Sequence, residues 1–198
     1  MASILKVDKL DPQSGTDLEI GTSGDTITIP SGATIVNSGT ATGFGGGKIN
    51  QVLHFVSSGE IDVDSDSSFV DTNLSGAITP SATSSKILAM WTHITMLNIQ
   101  TGTRGYGVSL ERAISGGATS SVFSSSYNYE VYNQGAMTNG QRNTRYTWMK
   151  LDSPSTTSEI TYSPQAKTSD LAGGDDGGYV QFNPLHMKSD LILMEVLA

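Results

Sequence analysis

Three carboxylates at alternate positions, Asp62-Val-Asp64-Ser-Asp66, open like a calcium loop, since oxygen ligands two residues apart suit a hard cation. The pattern then departs from the helix–loop–helix site. Ser67 stands where the glycine of the sharp turn is required, and Asn73 where the bidentate glutamate belongs. The segment reads as a solvated acidic turn after a strand, with an ion on Asp62, Asp64 and Asp66 as the alternative. A second acidic pair, Asp175-Asp176, stands inside Gly173-Gly-Asp-Asp-Gly-Gly178. Paired carboxylates hydrolyse glycosides only when rigidly placed in environments that separate their pKa values, and a polyglycine loop supplies neither.

The three histidines, His54, His93 and His186, have no metal-ligand spacing, and no cysteine backs them. His54 and His93 fall in expected core strands and read as satisfied interior or interface residues. No Gly-x-Ser-x-Gly elbow exposes a nucleophile. Gly43-Phe-Gly-Gly-Gly47-Lys48 is no phosphate loop, because Thr42 and Ile49 occupy positions the Walker pattern reserves for Gly and Ser or Thr. The expectation is a non-enzyme with no cofactor and no metal site.

The residues best suited to binding are Tyr127, Asn128, Tyr129, Tyr132 and Asn133, followed by Arg142, Asn143, Arg145 and Tyr146. Sugars present apolar ring faces and hydroxyl edges; Tyr stacks on the first and Asn or Arg hydrogen-bonds the second. Alternating Tyr in strands also fills cores and subunit interfaces, which is the competing reading. Gln134–Gly140 between the two groups would form a tip, and Gly102-Thr-Arg-Gly-Tyr106 a second exposed loop.

These side chains need strands to hold them. Of 198 residues, 36% are hydrophobic and 15% charged, against usual shares of about 45–50% and about 25%. Gly, Ser, Thr and Asn fill the gap, which suits strands joined by turns rather than long helices. Strands are expected over 48–58, 86–97, 106–114, 118–124, 127–132, 144–151, 159–162, 179–182 and 191–197. Residues 86–97 are apolar on both faces, as the central strand of a core would be. Helical spacing there leaves no polar face, and Thr92, Ile94 and Thr95 are β-branched. Ser115-Gly116-Gly117 marks a hairpin. The count and spacing point to an all-β sandwich of jelly-roll type over residues 48–198.

Residues 1–47 differ. Apolar pairs Leu18/Ile20 and Ile27/Ile29, then Ile35, recur eight or nine residues apart, separated by Thr22-Ser-Gly-Asp25, Ser31-Gly32 and Asn37-Ser-Gly39. Period-two alternation inside a longer repeat predicts short strands and tight turns stacked along an axis, and one copy cannot bury so thin a stripe. Several copies wound together can. The glycine cluster at 43–47 is the hinge between this slender stem and the head.

The net charge of −8, with Lys and Arg scattered singly, argues against a nucleic-acid partner. No run approaches the ~18 apolar residues that cross a bilayer, and the opening Met1–Leu10 lacks a signal peptide's apolar core. No membrane insertion is expected.

Ala77-Ile-Thr-Pro-Ser-Ala-Thr-Ser-Ser-Lys-Ile-Leu88, then Leu151-Asp-Ser-Pro-Ser-Thr-Thr-Ser158 with Thr161-Tyr162, then Leu191-Ile-Leu-Met-Glu-Val-Leu-Ala198 stand in an order and spacing that resemble the C-terminal domains of tailed-bacteriophage fibre proteins of the marine-phage type. Leu5-Lys-Val-Asp8 before a Ser/Gly/Thr-rich repeat is similar to the start of such fibres. The resemblance implies a homotrimeric virion protein, made in the host cytoplasm, whose stem grips another virion protein and whose head contacts a host-surface glycan or protein. Some such fibres chelate metal through His-x-His pairs, which are absent here. The rivals are a capsid decoration fibre, a free carbohydrate-binding module and a glycan depolymerase.

Overall fold

The computed structural model describes residues 10, 12–34, 36, 38, 49–64, 67–99, 104–125, 130–133, 140–170 and 179–197. The chain falls into two units, Met1–Phe44 and Gly45–Ala198.

The larger unit is all-β. Its strands are β1 (Ile49–Ser57), β2 (Ile61–Val63), β3 (Val70–Asp71), β4 (Gly76–Ile78), β5 (Lys86–Ile99), β6 (Arg104–Ile114), β7 (Thr119–Ser124), β8 (Val131–Asn133), β9 (Gly140–Asp152), β10 (Ile160–Asp170), β11 (Tyr179–Phe182) and β12 (Ser189–Val196). The one helical element among the described residues is a 3₁₀ turn at Pro184–His186. Two antiparallel sheets form a β-sandwich. Sheet A runs β1-β12-β5-β11-β2, with β9 also on β5; sheet B runs β3-β10-β6-β7, with β4 on β10 and β8 on β6.

The 14-residue β5 is the spine of sheet A. Its first half pairs with β12 and its second half with β11, so these two share one edge, while β9 lines the other edge from Ile87 to Ile99. β9 therefore bounds the sheet. Alternation sends Ile87, Ala89 and Trp91 inward beside Leu191, Leu193, Leu110, Ile160 and Tyr162. Toward the other end Leu97 and Ile99 meet Tyr106, Val108, Val180 and Phe182. Residues 86–97 were expected to be core on both faces, but the outer face is only half covered, and Leu88 and Met90 keep part of their surface.

Buried polar groups tie the sheets together. Asp152 on β9 accepts from the Tyr162 hydroxyl at 2.7 Å and from Arg112 Nη1 at 3.0 and 3.1 Å, joining sheet A to β10 and β6. Burial and the neighbouring carboxylate push the Tyr162 hydroxyl pKa up. Glu195 on β12 accepts from Asn50 and Gln51 of β1 (2.8 Å each) and from the Ser81 backbone (2.6 Å) and hydroxyl (2.7 Å). Burial raises its pKa, but these donors outweigh it and hold the carboxyl at about 2.

His93 is fully buried, with Nε2 3.2 Å from Thr72 Oγ1 and Nδ1 3.1 Å from Ser189 Oγ. Phe182 meets the ring edge-on at 4.9 Å. Desolvation pulls its pKa down to about 3, so the ring is neutral. His54, expected as an interior or interface residue, points out from β1 and meets Asp190 at 2.8 Å. The alternation that sends Leu53 and Phe55 to the core leaves it no other side.

In the smaller unit, no strand forms among the described residues between 10 and 38, where short strands were expected. A strand needs a hydrogen-bonded neighbour, and one copy supplies none. The turns do form. The Asp25 N–H donates to Thr22 O (3.0 Å) and the Ala33 N–H to Pro30 O (3.1 Å). Gly24 and Gly32 take φ of 99° and 85° at the third turn position, where a positive φ favours glycine. Asp25 accepts from the Thr22 N–H and hydroxyl, which lowers its pKa. Leu18, Ile20, Ile27 and Ile29 are 47%, 58%, 61% and 47% exposed. Ile35 lies outside the described residues.

Candidate functional site

β9 carries the described part of the expected binding segment, and its pleat decides what that segment can do. Along Gly140–Asp152 the even positions turn toward the sandwich interior. Thr144 Oγ1 lies 2.9 Å from Thr95 Oγ1, Trp148 packs on the core, and Asp152 is buried. The odd positions Asn143, Arg145, Thr147, Met149 and Leu151 are exposed on the opposite face. Arg142 and Tyr146 therefore share one side of the strand, and Asn143 and Arg145 the other.

On the inner side an aromatic ladder runs from core to surface. Trp91, fully buried, stacks on Trp148 with centroids 6.1 Å apart and planes at 21°. Trp148 in turn lies 6.0 Å from Tyr146, at 40°. Tyr106 meets Trp148 edge-on at 6.4 Å, and Phe123 of β7 meets Trp91 at 5.8 Å. Tyr146 is 40% exposed, which leaves part of its ring free to stack on a sugar. Arg142 is exposed on the same side, four residues along the strand.

The other residues of the segment do not join this group. Tyr132 and Asn133 lie on β8, whose backbone pairs with Gly105 and Arg104 of β6 in sheet B. Tyr127, Asn128 and Tyr129 lie outside the described residues, as do residues 134–139 and the Asp175-Asp176 pair. Tyr106, expected in an exposed loop, is buried on β6, where desolvation pushes its hydroxyl pKa up. Asp62 is exposed on β2 and accepts from Gln181 Nε2 at 2.9 Å; Asp66 lies outside the described residues. Among the described residues, no group of three His, Asp or Glu is placed to hold a metal ion.

One feature of β9 was missed from sequence. Its outer, odd-numbered side ends in Met149 and Leu151, 62% and 49% exposed, where a solvated sheet face would be polar. The alternation through residues 144–151 was the available signal.

No family model matches the chain, and no curated protein matches it. Among solved structures, infectious bursal disease virus of the Gx strain overlaps it with a TM-score of 0.42 at 11% identity, covering 76% of this chain and 33% of that one. The T13 particle of the same virus gives 0.41 at 15% identity, covering 85% and 41%. The Gt strain gives 0.37 at 15%, covering 86% and 43%. The similarity is distant, and this chain spans less than half the length of each of those chains.

Proposed function

We propose that this chain is a structural protein of a virion: a homotrimeric fibre with a stem over residues 1–47 and a β-sandwich head over residues 48–198, attaching the particle to a host-surface glycan or protein. Its role is to assemble and hold, without catalysis, and the stem grips another virion protein. The observation that carries this reading is the exposure of Leu18, Ile20, Ile27 and Ile29 behind repeated glycine turns. Covering the exposed half of each is worth about 1 kcal/mol, so about 4 kcal/mol per chain and about 12 kcal/mol for three. That is comparable to the cost of bringing chains together, and strand hydrogen bonds between copies add to it. Three heads on one stem then multiply weak receptor contacts through avidity.

The solution mass by light scattering tests this. Three chains persisting on dilution is the expected result, and substituting Ile27 and Ile29 together with Asp should release single chains. A wild-type monomer would overturn the fibre reading. It would favour a free carbohydrate-binding module instead, a reading that rests on the exposed Tyr146 at the end of the aromatic ladder.

A further inference from the structure

An antiparallel sheet with one face on the core normally turns polar residues outward on the other. Sheet A does not. Pairing across β1, β12, β5 and β9 places Val52, Met194, Leu88 and Leu151 in one outward row, and His54, Ile192, Met90 and Met149 in the next. Seven of these eight are apolar, and Val52, Met149 and Leu151 are each about half exposed or more.

We propose that this face is a docking surface for further copies of the same chain. The heads of three chains pack around a common axis through it, with β9 of one copy against β1 and β12 of the next. The inference rests on the three-copy reading of the stem.

Two observations single out a second copy as the occupant. The first is area. Four strands ~4.8 Å apart and two rows each ~6.8 Å deep give an apolar footprint of roughly 260 Å². That is only about a third of the roughly 800 Å² per partner that a stable free-standing complex needs. Such a face associates when a tether raises the local concentration, and a stem that joins copies is that tether.

The second is charge. Asp190, with His54 beside it, stands on the β1/β12 side of the face. Arg145 stands on the β9 side, exposed and without an ion pair to any described residue. In a closed ring each copy turns its β9 side to its neighbour's β1/β12 side, a head-to-tail contact that brings unlike charges together.

The chain has no cysteine, which makes the test clean. The full chain carries Val52→Cys and Leu151→Cys together. Within one copy the two sites are separated by three strand spacings, ~14 Å. A disulfide needs Cα atoms within ~7 Å, so it can form only between copies. After mild oxidation a covalent three-chain band is expected, with each single variant remaining one chain. As a second readout, Met149 of the assembled wild-type protein is expected to oxidise with dilute peroxide several-fold more slowly than Met187, although it is the more exposed of the two in one copy. Protection of Met149 without the cross-link supports burial between copies and overturns the β9-to-β1 pairing. A three-chain mass with no cross-link and a fast-oxidising Met149 overturns the docking face and leaves the stem reading standing. A one-chain mass overturns both.

Discussion

Acid should weaken this head over a window that belongs to His93. The ring is fully buried and desolvation holds its pKa at about 3, against 6.5 for an unhindered histidine. Between those values the unfolded chain binds a proton that the folded chain refuses, so stability falls as pH falls below 6.5. The loss approaches 1.4 kcal/mol per pH unit, or about 2 kcal/mol between pH 7 and pH 5. That is a ceiling, because the Thr72 and Ser189 hydroxyls present oxygens to both ring nitrogens and would partly accept an imidazolium. Glu195, held at about 2 against 4.5, adds its own loss only below pH 4.5, and Asp25 only below 3.8, so neither interferes above pH 5. Urea unfolding at pH 7, 6 and 5, at fixed chain concentration, reads this directly. Trp148, 6.3 Å from the imidazole, serves as the fluorescent reporter. His93→Gln should be less stable at pH 7 and lose most of the slope. A free energy flat from pH 7 to 5, or a slope unchanged in His93→Gln, would refute the argument.

Gly76→Ala should destabilise the head by about 1–3 kcal/mol in thermal or urea unfolding. A Cβ there would stand 2.3–2.6 Å from the Phe55 ring, which is itself packed on the core. Asp152→Asn should cost about 3 kcal/mol by the same assay, because it leaves the mostly buried Arg112 guanidinium without its counter-charge. Tyr146→Ala should lower binding to a glycan array at least ~10-fold and the melting temperature by several degrees, with the head still folded, since stacking on a sugar needs the exposed ring and the rest of the ring packs on Trp148. Unchanged glycan binding would remove the aromatic ladder from the receptor site.

The strand reading of residues 86–97 survives because β-branched residues and the missing polar helical face are local signals, and β5 is built on them. The same segment misled on burial. Apolar residues on both faces look alike whether the second face meets more of the same chain or another copy, and sequence periodicity does not distinguish the two. β2, β3 and β4 escaped notice because two or three residues carry no period. The binding segment was read as one patch when its own alternation divides Arg142 and Tyr146 from Asn143 and Arg145. The cage around Glu195 was out of reach, since Asn50 lies 145 residues away and only the β1–β12 pairing brings the two together.

That cage has a mechanical side. A pull on the chain ahead of Ile49 enters the head at the Ile49–Val196 pair, the first rung of the β1–β12 ladder. Loaded there, a two-strand ladder opens like a zipper, one rung at a time, and its strength is set by the rung under tension. Next to that rung, Asn50 and Gln51 of β1 each donate to Glu195, and also to Ser81 Oγ and Thr79 O respectively, so four side-chain hydrogen bonds must break before β1 peels past them. The fold thus places a dense polar knot where force on the chain ahead of Ile49 would be delivered.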